Sequence, residues 1–254
     1  MKISVITVTF NSESVIQDCL SSVMMQKYKN IEHIIIDGKS NDGTLSILES
    51  QRNHFAALIS EPDKGIYDAM NKGIKIATGD IIGFLNSDDF YVDKNVLSKV
   101  ANIFTDNPSI EACYSDLIYV DQLTASKTVR YIKSSKFKSG LFLKGWCPPH
   151  PTFFVRRSNF ERYGNFNLDY KIASDVDLMI RFLEVKKIQC LYVPEIWVKM
   201  RMGGTTNKNL KNIFLQNYEI ILSLKKYNLP VNLINFFINK IISRIKQYLK
   251  KVNI

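Results

Sequence analysis

Two adjacent carboxylates, Asp88 and Asp89, follow the apolar run 81–85 after Asn86 and Ser87 and are the first candidates for chemistry in this chain. At the end of a buried strand, two neighbouring acids repel each other unless a cation compensates their charge. Hard oxygen ligands suit Mg²⁺ or Mn²⁺, which keep several waters and use one or two carboxylates together with substrate phosphates. The pair predicts a divalent-metal site; the alternative is a polar turn that caps the next helix.

Polar residues follow three other apolar runs in the same way. Thr9, Phe10 and Asn11 end the first run, Asp37 ends the second, and the segment 61–65 ends the third. In an open α/β sheet, ligands bind beyond the carboxyl ends of the strands. We therefore expect these residues to meet at one edge of a sheet, where Asp37 can accept hydrogen bonds from a base or a ribose.

A third group of candidates lies in the second half of the chain. Asp175 stands at the start of the helical pattern 175–185, where it can act as a general base or simply cap the helix. Asp177 lies two residues further on and faces a different side of the helix, so it is the second candidate for the base after Asp175. His150 stands between prolines with no neighbouring ligand, which is typical of a structural histidine.

The pattern around these residues predicts an α/β fold with a largely parallel sheet and helices on both faces. The predicted strands are 3–9, 32–36, 56–59, 81–85, 112–114, 117–120, 128–132, 152–155, 190–193 and 197–200. The predicted helices are 14–24, 44–52, 66–77, 94–104 and 175–185, followed by helical pattern over 230–252. We expect a catalytic domain over 1–206 and basic amphipathic helices over 207–254.

Charge is distributed unevenly along the chain. It has 254 residues with 34 Lys and Arg against 24 Asp and Glu, a net charge of +10, and the last 48 residues carry +8 of it. Four widely spaced cysteines form no zinc-type cluster, which fits a reducing cytosol. No run approaches the ~18 apolar residues that span a bilayer. The expected location is cytoplasmic, peripheral at the inner face of the plasma membrane.

The segment 230–252 combines an apolar stripe with many lysines and arginines. Such a helix is typical of an anionic membrane surface. Two alternatives stay open: the stripe can dock on the catalytic body or on another subunit, which makes an oligomer possible. Nucleic acid is not expected as a partner, because no recognised binding motif accompanies the charge.

An ordered series of motifs resembles family 2 glycosyltransferases over residues 1–206. The motifs are TVTFN (7–11), DGKSNDGT (37–44), DKGIYDAMNKG (63–73), ATGD (77–80), LNSDD (85–89), HPTFF (150–154) and SDVDL (174–178). Within the family, the chain most resembles bacterial surface-polysaccharide transferases of the colanic-acid type. The resemblance implies a GT-A fold, inversion at the anomeric carbon, a UDP-sugar donor, Mn²⁺ or Mg²⁺, and a glycan or lipid-linked acceptor.

The resemblance also implies roles for single residues. The nucleotide would lie against Thr9, Phe10 and Asn11, with the uracil on Asp37. Asp88 would contact the ribose or donor sugar, Asp89 would hold the metal, and Asp175 would be the catalytic base. Lys64 and Asp68 would help to bind the donor, and Arg201 with the 203–205 loop would close over its phosphates. His150 would act on the acceptor side or fix a loop.

The chain departs from the family pattern at one position, because Ser174 stands where an acid usually precedes Asp175. This departure leaves open a nucleotide-sugar-binding protein that has lost catalysis. A sugar nucleotidyltransferase is the other alternative, although the glycine-rich phosphate loop that it needs near the first strand is missing.

Overall fold

The computed structural model describes residues 1–203 and 210–249. The predicted domain boundary at 206/207 lies outside the described residues, as do Gly204, Thr205 and the end of the predicted amphipathic segment, 250–252.

Nine strands form one sheet. They are β1 (Ile3–Thr9), β2 (Ile31–Asp37), β3 (Ala57–Ser60), β4 (Ile81–Phe84), β5 (Asp89–Tyr91), β6 (Ala112–Val120), β7 (Thr128–Ile132), β8 (Phe154–Arg156) and β9 (Cys190–Arg201). Their order is β3-β2-β1-β4-β8-β6-β9-β5, and β7 pairs with β6 outside this path. The first four strands are mutually parallel, as expected. The other half is mixed. Strands β6 and β9 are parallel, whereas β8 pairs antiparallel with β4 and β6, β7 with β6, and β5 with β9.

Eight α-helices accompany the strands in the described residues. They are α1 (Ile16–Met24), α2 (Thr44–Ser50), α3 (Ile66–Ile76), α4 (Val96–Asp106), α5 (Arg157–Tyr163), α6 (Ser174–Met179), α7 (Leu210–Lys226) and α8 (Leu233–Leu249). A π-helical segment, Ile180–Val185, continues α6, so the predicted helix over 175–185 changes its hydrogen-bond pattern halfway. The short elements α5 and β5 were not predicted. Neither has a periodic pattern long enough to stand out from the loops around it.

The core lies on both faces of the sheet because successive residues of a strand point to opposite sides. On one face, Ile6 packs in the same cluster as Met70 of α3 and Leu178 of α6. On the other face, Val5 packs with Val23 of α1 and Val100 of α4. The predicted α/β class with helices on both faces is confirmed.

Two pairs of predicted short strands are continuous in the structure. Residues 112–114 and 117–120 join in β6, and 190–193 and 197–200 join in β9. The apolar pattern breaks at Asp116, but its buried carboxylate accepts hydrogen bonds from Tyr192 (2.7 Å), the Ser134 amide (2.8 Å) and Tyr131. The interruption appears as a register shift between β6 and β9 rather than as a loop.

The two C-terminal helices pack against the catalytic body. Helix α7 buries Ile220 and Leu224 in the same core cluster as α6, and α8 buries Phe236 there. Within the described residues, no helix combines the length and apolar content that a bilayer crossing requires.

Candidate functional site

A cleft of about 1200 Å³ opens beyond the carboxyl ends of β1 and β4. Its lining includes Thr9, Phe10 and Asn11 from one strand end and Asn86, Ser87 and Asp88 from the other. The loops behind them are tied together, since the Ser12 and Ser87 hydroxyls lie 2.8 Å apart. The expectation that polar residues from separate strands meet at one edge of the sheet is therefore confirmed for β1 and β4.

The β1–α1 loop presents an exposed aromatic ring to the cleft. Phe10 is 60% exposed although it directly follows a fully buried strand. Next to it, Asn11 adopts a left-handed backbone (φ 49°), a conformation that asparagine tolerates better than most residues. Its amide donates to the Ser40 hydroxyl (2.9 Å), and its side-chain oxygen accepts from the Asn41 amide (3.0 Å). These two hydrogen bonds fix the β1–α1 loop to the loop that follows β2.

Asp37 does not line the cleft. It is completely buried, and its oxygens accept hydrogen bonds from the Ser40 amide (3.0 Å), the Ser40 hydroxyl and the Ser60 hydroxyl. These bonds fold the loop after β2. The neighbouring acid that does line the cleft is Asp63, and a Cβ on Gly38 would stand 2.5 Å from its Oδ2. Glycine at position 38 lets the Asp63 side chain approach this closely. Asp63 therefore lines the cleft, and the predicted role of Asp37 in binding uracil stays a prediction.

The adjacent acids Asp88 and Asp89 point in opposite directions. Asp88 lines the cleft, whereas Asp89 begins β5 opposite Met200, is completely buried, and has no hydrogen-bond partner for either oxygen among the described residues. Burial and the nearby Asp88 raise the pKa of Asp89 well above its usual range. Of the two acids only Asp88 lines the cleft, so Asp88 is the candidate metal ligand that a donor can reach, and a metal role for Asp89 stays a prediction.

Arg201 stands beside Asp88 at the end of β9. Its side chain forms an ion pair with Asp18, donates to the Gln122 carbonyl (3.2 Å) and lies over the Phe90 ring. Burial raises the pKa of Asp88, and the Arg201 charge partly offsets this effect. Arg201 lines the cleft, and its predicted role at the donor phosphates stays a prediction; residues 204 and 205, which were expected to close with it, lie outside the described residues.

Two of the predicted donor-binding residues lie outside the cleft lining. Lys64 is exposed, and its backbone amide donates to Asp68 Oδ2 (3.0 Å). Asp68 also forms an ion pair with Lys72 (3.6 Å). Asp68 therefore stabilises the start of α3, and the structure gives neither residue a contact with the cleft.

Asp175 lies in the first turn of α6 and lines the cleft. The cap position belongs to Ala173 and no side chain caps this helix, so the alternative role as a helix cap is wrong. The Tyr67 hydroxyl lies 2.9 Å from Asp175 Oδ1 and 2.7 Å from the Ile172 carbonyl, so its proton is shared between them. Burial raises the pKa of Tyr67 well above its usual value, which keeps this donor protonated. Among the described residues, Asp175 Oδ2 has no hydrogen-bond donor.

Asp177 is a structural residue. It is completely buried and accepts a hydrogen bond from the Ser223 hydroxyl of α7 (2.7 Å), with Arg181 and Lys226 each 4.0 Å away. Its candidacy as a site residue is wrong, because its position on α6 faces α7 and not the cleft. Ser174 is also buried and donates to the Asn167 carbonyl (2.7 Å).

His150 lines the cleft between two aromatic rings. It stacks on Phe84 at 5.4 Å and meets Phe166 edge-on at 5.8 Å. Burial lowers the pKa of His150, partly offset by Asp175, so the ring is neutral at pH 7. Its Nε2 is buried with no hydrogen-bond partner among the described residues. The His150 ring is thus packed in the wall of the cleft, and its Nε2 is left for a hydrogen bond to a ligand.

Sequence reasoning missed the contribution of the C-terminal helices to the cleft. Asn217 of α7 and Lys240, Arg244 and Gln247 of α8 all line it. The spacing of the three α8 residues is helical and could have suggested a shared face. Tyr67 was also missed as a partner of Asp175, since 108 residues separate the two.

Comparisons with known proteins agree with this architecture. A family model described as glycosyl transferase family 2 matches residues 4–164. A PGL/p-HBAD biosynthesis glycosyltransferase of Mycobacterium bovis is 31% identical over 221 residues, which are 84% of this chain and 82% of that protein.

Two solved structures share the fold. S. aureus TarS 1-349 in complex with UDP-GlcNAc has a TM-score of 0.68 and 20% identity, covering 88% of this chain and 66% of that one. Mannosyltransferase PcManGT from Pyrobaculum calidifontis, in complex with GDP-Man and Mn2+, has a TM-score of 0.60 and 20% identity, covering 77% of this chain and 56% of that one. The predicted GT-A fold is thus confirmed, and the family match excludes the nucleotidyltransferase alternative. The chain belongs to glycosyltransferase family 2.

Proposed function

We propose that this glycosyltransferase transfers a sugar, with inversion, from a UDP-sugar to a hydroxyl of a glycan or lipid-linked acceptor in bacterial surface-polysaccharide synthesis. The observation that carries the proposal is the Asp175 carboxylate, which faces the same cleft as Asp88 and has one oxygen held by Tyr67. A UDP-GlcNAc complex among proteins of the same fold supports the donor class.

Asp175 acts as the general base of the transfer. Tyr67 holds Oδ1, so Oδ2 is left to take the proton of the acceptor hydroxyl as its oxygen attacks the anomeric carbon. The position in the first turn of α6 favours a negative charge there, because the amide dipoles of a helix point their positive ends at its N-terminus. A base held in this geometry contributes typically ~10²–10⁴-fold to a rate.

The nucleotide binds at the β1 end of the cleft. The exposed Phe10 ring offers a stacking surface for the uracil, a contact worth ~1–3 kcal/mol. Asp63 is within reach of the same pocket and can accept hydrogen bonds from the base or ribose. The buried Asp37 supports this pocket through the loop that it folds, and the Thr9 hydroxyl, unpartnered in the described structure, stands in the wall.

The residues around Asp88 fit a divalent cation. Asp88 offers a carboxylate, and Asn86 Oδ1 is buried without a hydrogen-bond partner. Mg²⁺ and Mn²⁺ typically use one or two carboxylates and take their other ligands from substrate phosphates and water. Mn²⁺ or Mg²⁺ bound there would supply positive charge to the departing diphosphate.

The apolar face of α8 supports a peripheral position on the cytoplasmic face of a membrane. Ile234, Ile238 and Ile245 are 73%, 51% and 54% exposed. Helix α8 packs on the catalytic body through Phe236, and Phe237 and Ile241 of the stripe line the cleft, so the exposed isoleucines are the part of the stripe left for a membrane. Co-sedimentation with anionic vesicles tests this: Ile238→Glu with Ile245→Glu should abolish binding, whereas Leu123→Glu, a control at a 92% exposed position, should not. Equal binding by all three proteins would overturn the membrane assignment.

A donor screen tests the proposed reaction. Purified protein with Mn²⁺ or Mg²⁺ is offered a panel of nucleotide sugars together with a bacterial membrane extract as the source of acceptor, and the released nucleotide is measured. We expect UDP release from one UDP-sugar that depends on both metal and extract. Turnover of only GDP- or dTDP-sugars would contradict the donor assignment.

A further inference from the structure

Helix α8 presents a mixed face to the cleft, because its apolar residues Phe237 and Ile241 line the cleft together with the basic residues Lys240 and Arg244. Phe236 is completely buried, and Lys240 and Gln247 follow it on the same face. Lys240 Nζ donates to Asn217 Oδ1 of α7 at 2.5 Å, while Gln247 Oε1 accepts from Arg130 Nε of β7 at 2.7 Å. Helix α8 is thus held by the burial of Phe236 and by these polar contacts, while Ile234, Ile238 and Ile245 stay exposed.

The docked face gathers three cations in the wall of the cleft: Arg130, Lys240 and Arg244. The recorded partners of Arg130 and Lys240 are an amide oxygen and aromatic rings, none of which carries a negative charge. Burial and the neighbouring Arg244 lower the pKa of Arg130. The same two causes lower the pKa of Lys240 to about 8. Keeping Arg130 and Lys240 charged beside Arg244 costs free energy in the free protein, because burial and like charge disfavour the charged forms, and a bound anion would offset this cost.

One of the three cations, Lys240, lies at the Asp175 end of the cleft, and Arg244 is near both Lys240 and Arg130. The Arg201 charge lowers the pKa of Asp88, whereas the Asp175 charge raises the pKa of Lys240. The Lys240 side chain also packs against Gly145. The metal and diphosphate of the donor belong beside Asp88 and Arg201. Because Lys240 lies beside Asp175, an anion bound by Lys240 and its neighbours Arg244 and Arg130 belongs to the molecule that approaches the base.

The cleft also has room for a second ligand. Its volume of about 1200 Å³ exceeds the ~300–1,000 Å³ of typical small-molecule pockets. Arginine binds phosphate through two parallel N–H donors, and lysine adds a point charge. The cluster thus has the chemistry of a phosphate or diphosphate site.

We propose that Arg130, Lys240 and Arg244 form an acceptor subsite that binds a phosphate or diphosphate group of the acceptor. The inference rests on the proposed function, since it assumes that Asp175 marks the acceptor side. A phosphate of a soluble glycan and the diphosphate of a lipid-linked sugar share this chemistry. The exposed isoleucines on the other face of α8 would bring the subsite close to a bilayer surface.

Calorimetry with inorganic phosphate tests the subsite in the full chain, with the donor end filled by saturating UDP and Mg²⁺. Phosphate should bind the native protein, and Lys240→Met or Arg244→Gln should weaken it at least ~10-fold, the loss expected for one charge-assisted hydrogen bond. Lys246→Met, an exposed charge on the same helix, is the matched control and should bind phosphate as the native protein does. UDP affinity should be the same in all four proteins.

The outcomes separate this inference from the proposed function. Native protein that binds UDP but not phosphate, or a control that weakens phosphate binding as much as the two variants, overturns the subsite alone. Failure to bind UDP contradicts the donor assignment instead. A second arm compares neutral vesicles that carry an isoprenyl diphosphate with a soluble methyl diphosphate. Tighter binding to the vesicles identifies a lipid-linked source, and equal binding identifies a soluble one.

Discussion

Replacing Glu219 with glutamine should lower both the stability and the turnover of the enzyme, because this side chain holds the segment that precedes the catalytic base. Glu219 lies on α7 and is only 4% exposed. Its Oε1 accepts from the Lys171 amide and its Oε2 from the amides of Ile172 and Ala173, each at 2.9 Å. Asp175 follows two residues later.

The size of the effect follows from these three bonds. A hydrogen bond to a charged acceptor contributes ~1.5–3 kcal/mol. Glutamine keeps one acceptor oxygen, which can retain the pair at Ile172 and Ala173, but its amide nitrogen cannot accept from Lys171. We therefore expect Glu219→Gln to lower the free energy of unfolding by about 2 kcal/mol. A small displacement of Asp175 would reduce kcat on the order of 10- to 100-fold.

The assay pairs urea unfolding with the UDP-release rate and UDP affinity. Glu32→Gln is the matched control, because Glu32 also accepts from two amides, Thr78 (2.5 Å) and Gly79 (3.0 Å), and does not line the cleft. Both variants should lose stability, both should bind UDP normally, and only Glu219→Gln should lose turnover. An unchanged kcat in Glu219→Gln, or an equal loss in the control, would refute the positioning role.

Three further predictions follow from single contacts. Asp88→Asn should weaken metal-dependent UDP binding ~10-fold or more, whereas Asp80→Asn should not, as titration calorimetry with Mn²⁺ can measure. Phe236→Ala should cost ~3–5 kcal/mol of packing and speed hydrogen exchange in α8, with Ile238→Ala, half-exposed, as the control; unchanged exchange would contradict the docking of α8. Burial alone would raise the pKa of Glu32, but hydrogen bonds from Lys2, Ser4 and Thr78 lower it to about 2, below its ordinary 4.5. The native protein's stability advantage over Glu32→Gln should therefore be full above pH 4.5 and shrink as the pH falls towards 2; a constant difference in urea titrations would contradict this.

The first half of the fold could be predicted because its chemistry is local. The strands 3–9 and 81–84 are short apolar runs separated by amphipathic helices, and both were predicted to within a residue. The full lengths of β6 and β9 could not be predicted. In β6, the polar Asp116 interrupts the apolar pattern and suggests that the strand ends there. Asp116 is satisfied by the tyrosine hydroxyls of β7 and β9 and by the Ser134 amide, all of which are distant along the chain.

The same distinction applies to the site. The sequence brought Asp88 and Asp89 to a strand end, but which of the two faces the cleft depends on where β5 begins to pair with β9. The amphipathic pattern of α8 was evident, yet its orientation is set by contacts with Arg130 and Asn217. Contacts between residues distant along the chain decide which side chain faces the cleft, and the local sequence pattern does not contain this information.

The most direct test of the account is the turnover of Asp175→Asn. Asparagine keeps the shape of the side chain but cannot take a proton from the acceptor, and Asp169→Asn, at an exposed position, is the matched control. With the donor identified by the screen, we predict that Asp175→Asn binds UDP as the native enzyme does while kcat falls ~10²–10⁴-fold. Near-native turnover by Asp175→Asn would contradict the central claim, and absence of turnover in the native enzyme would favour a nucleotide-sugar-binding protein that has lost catalysis.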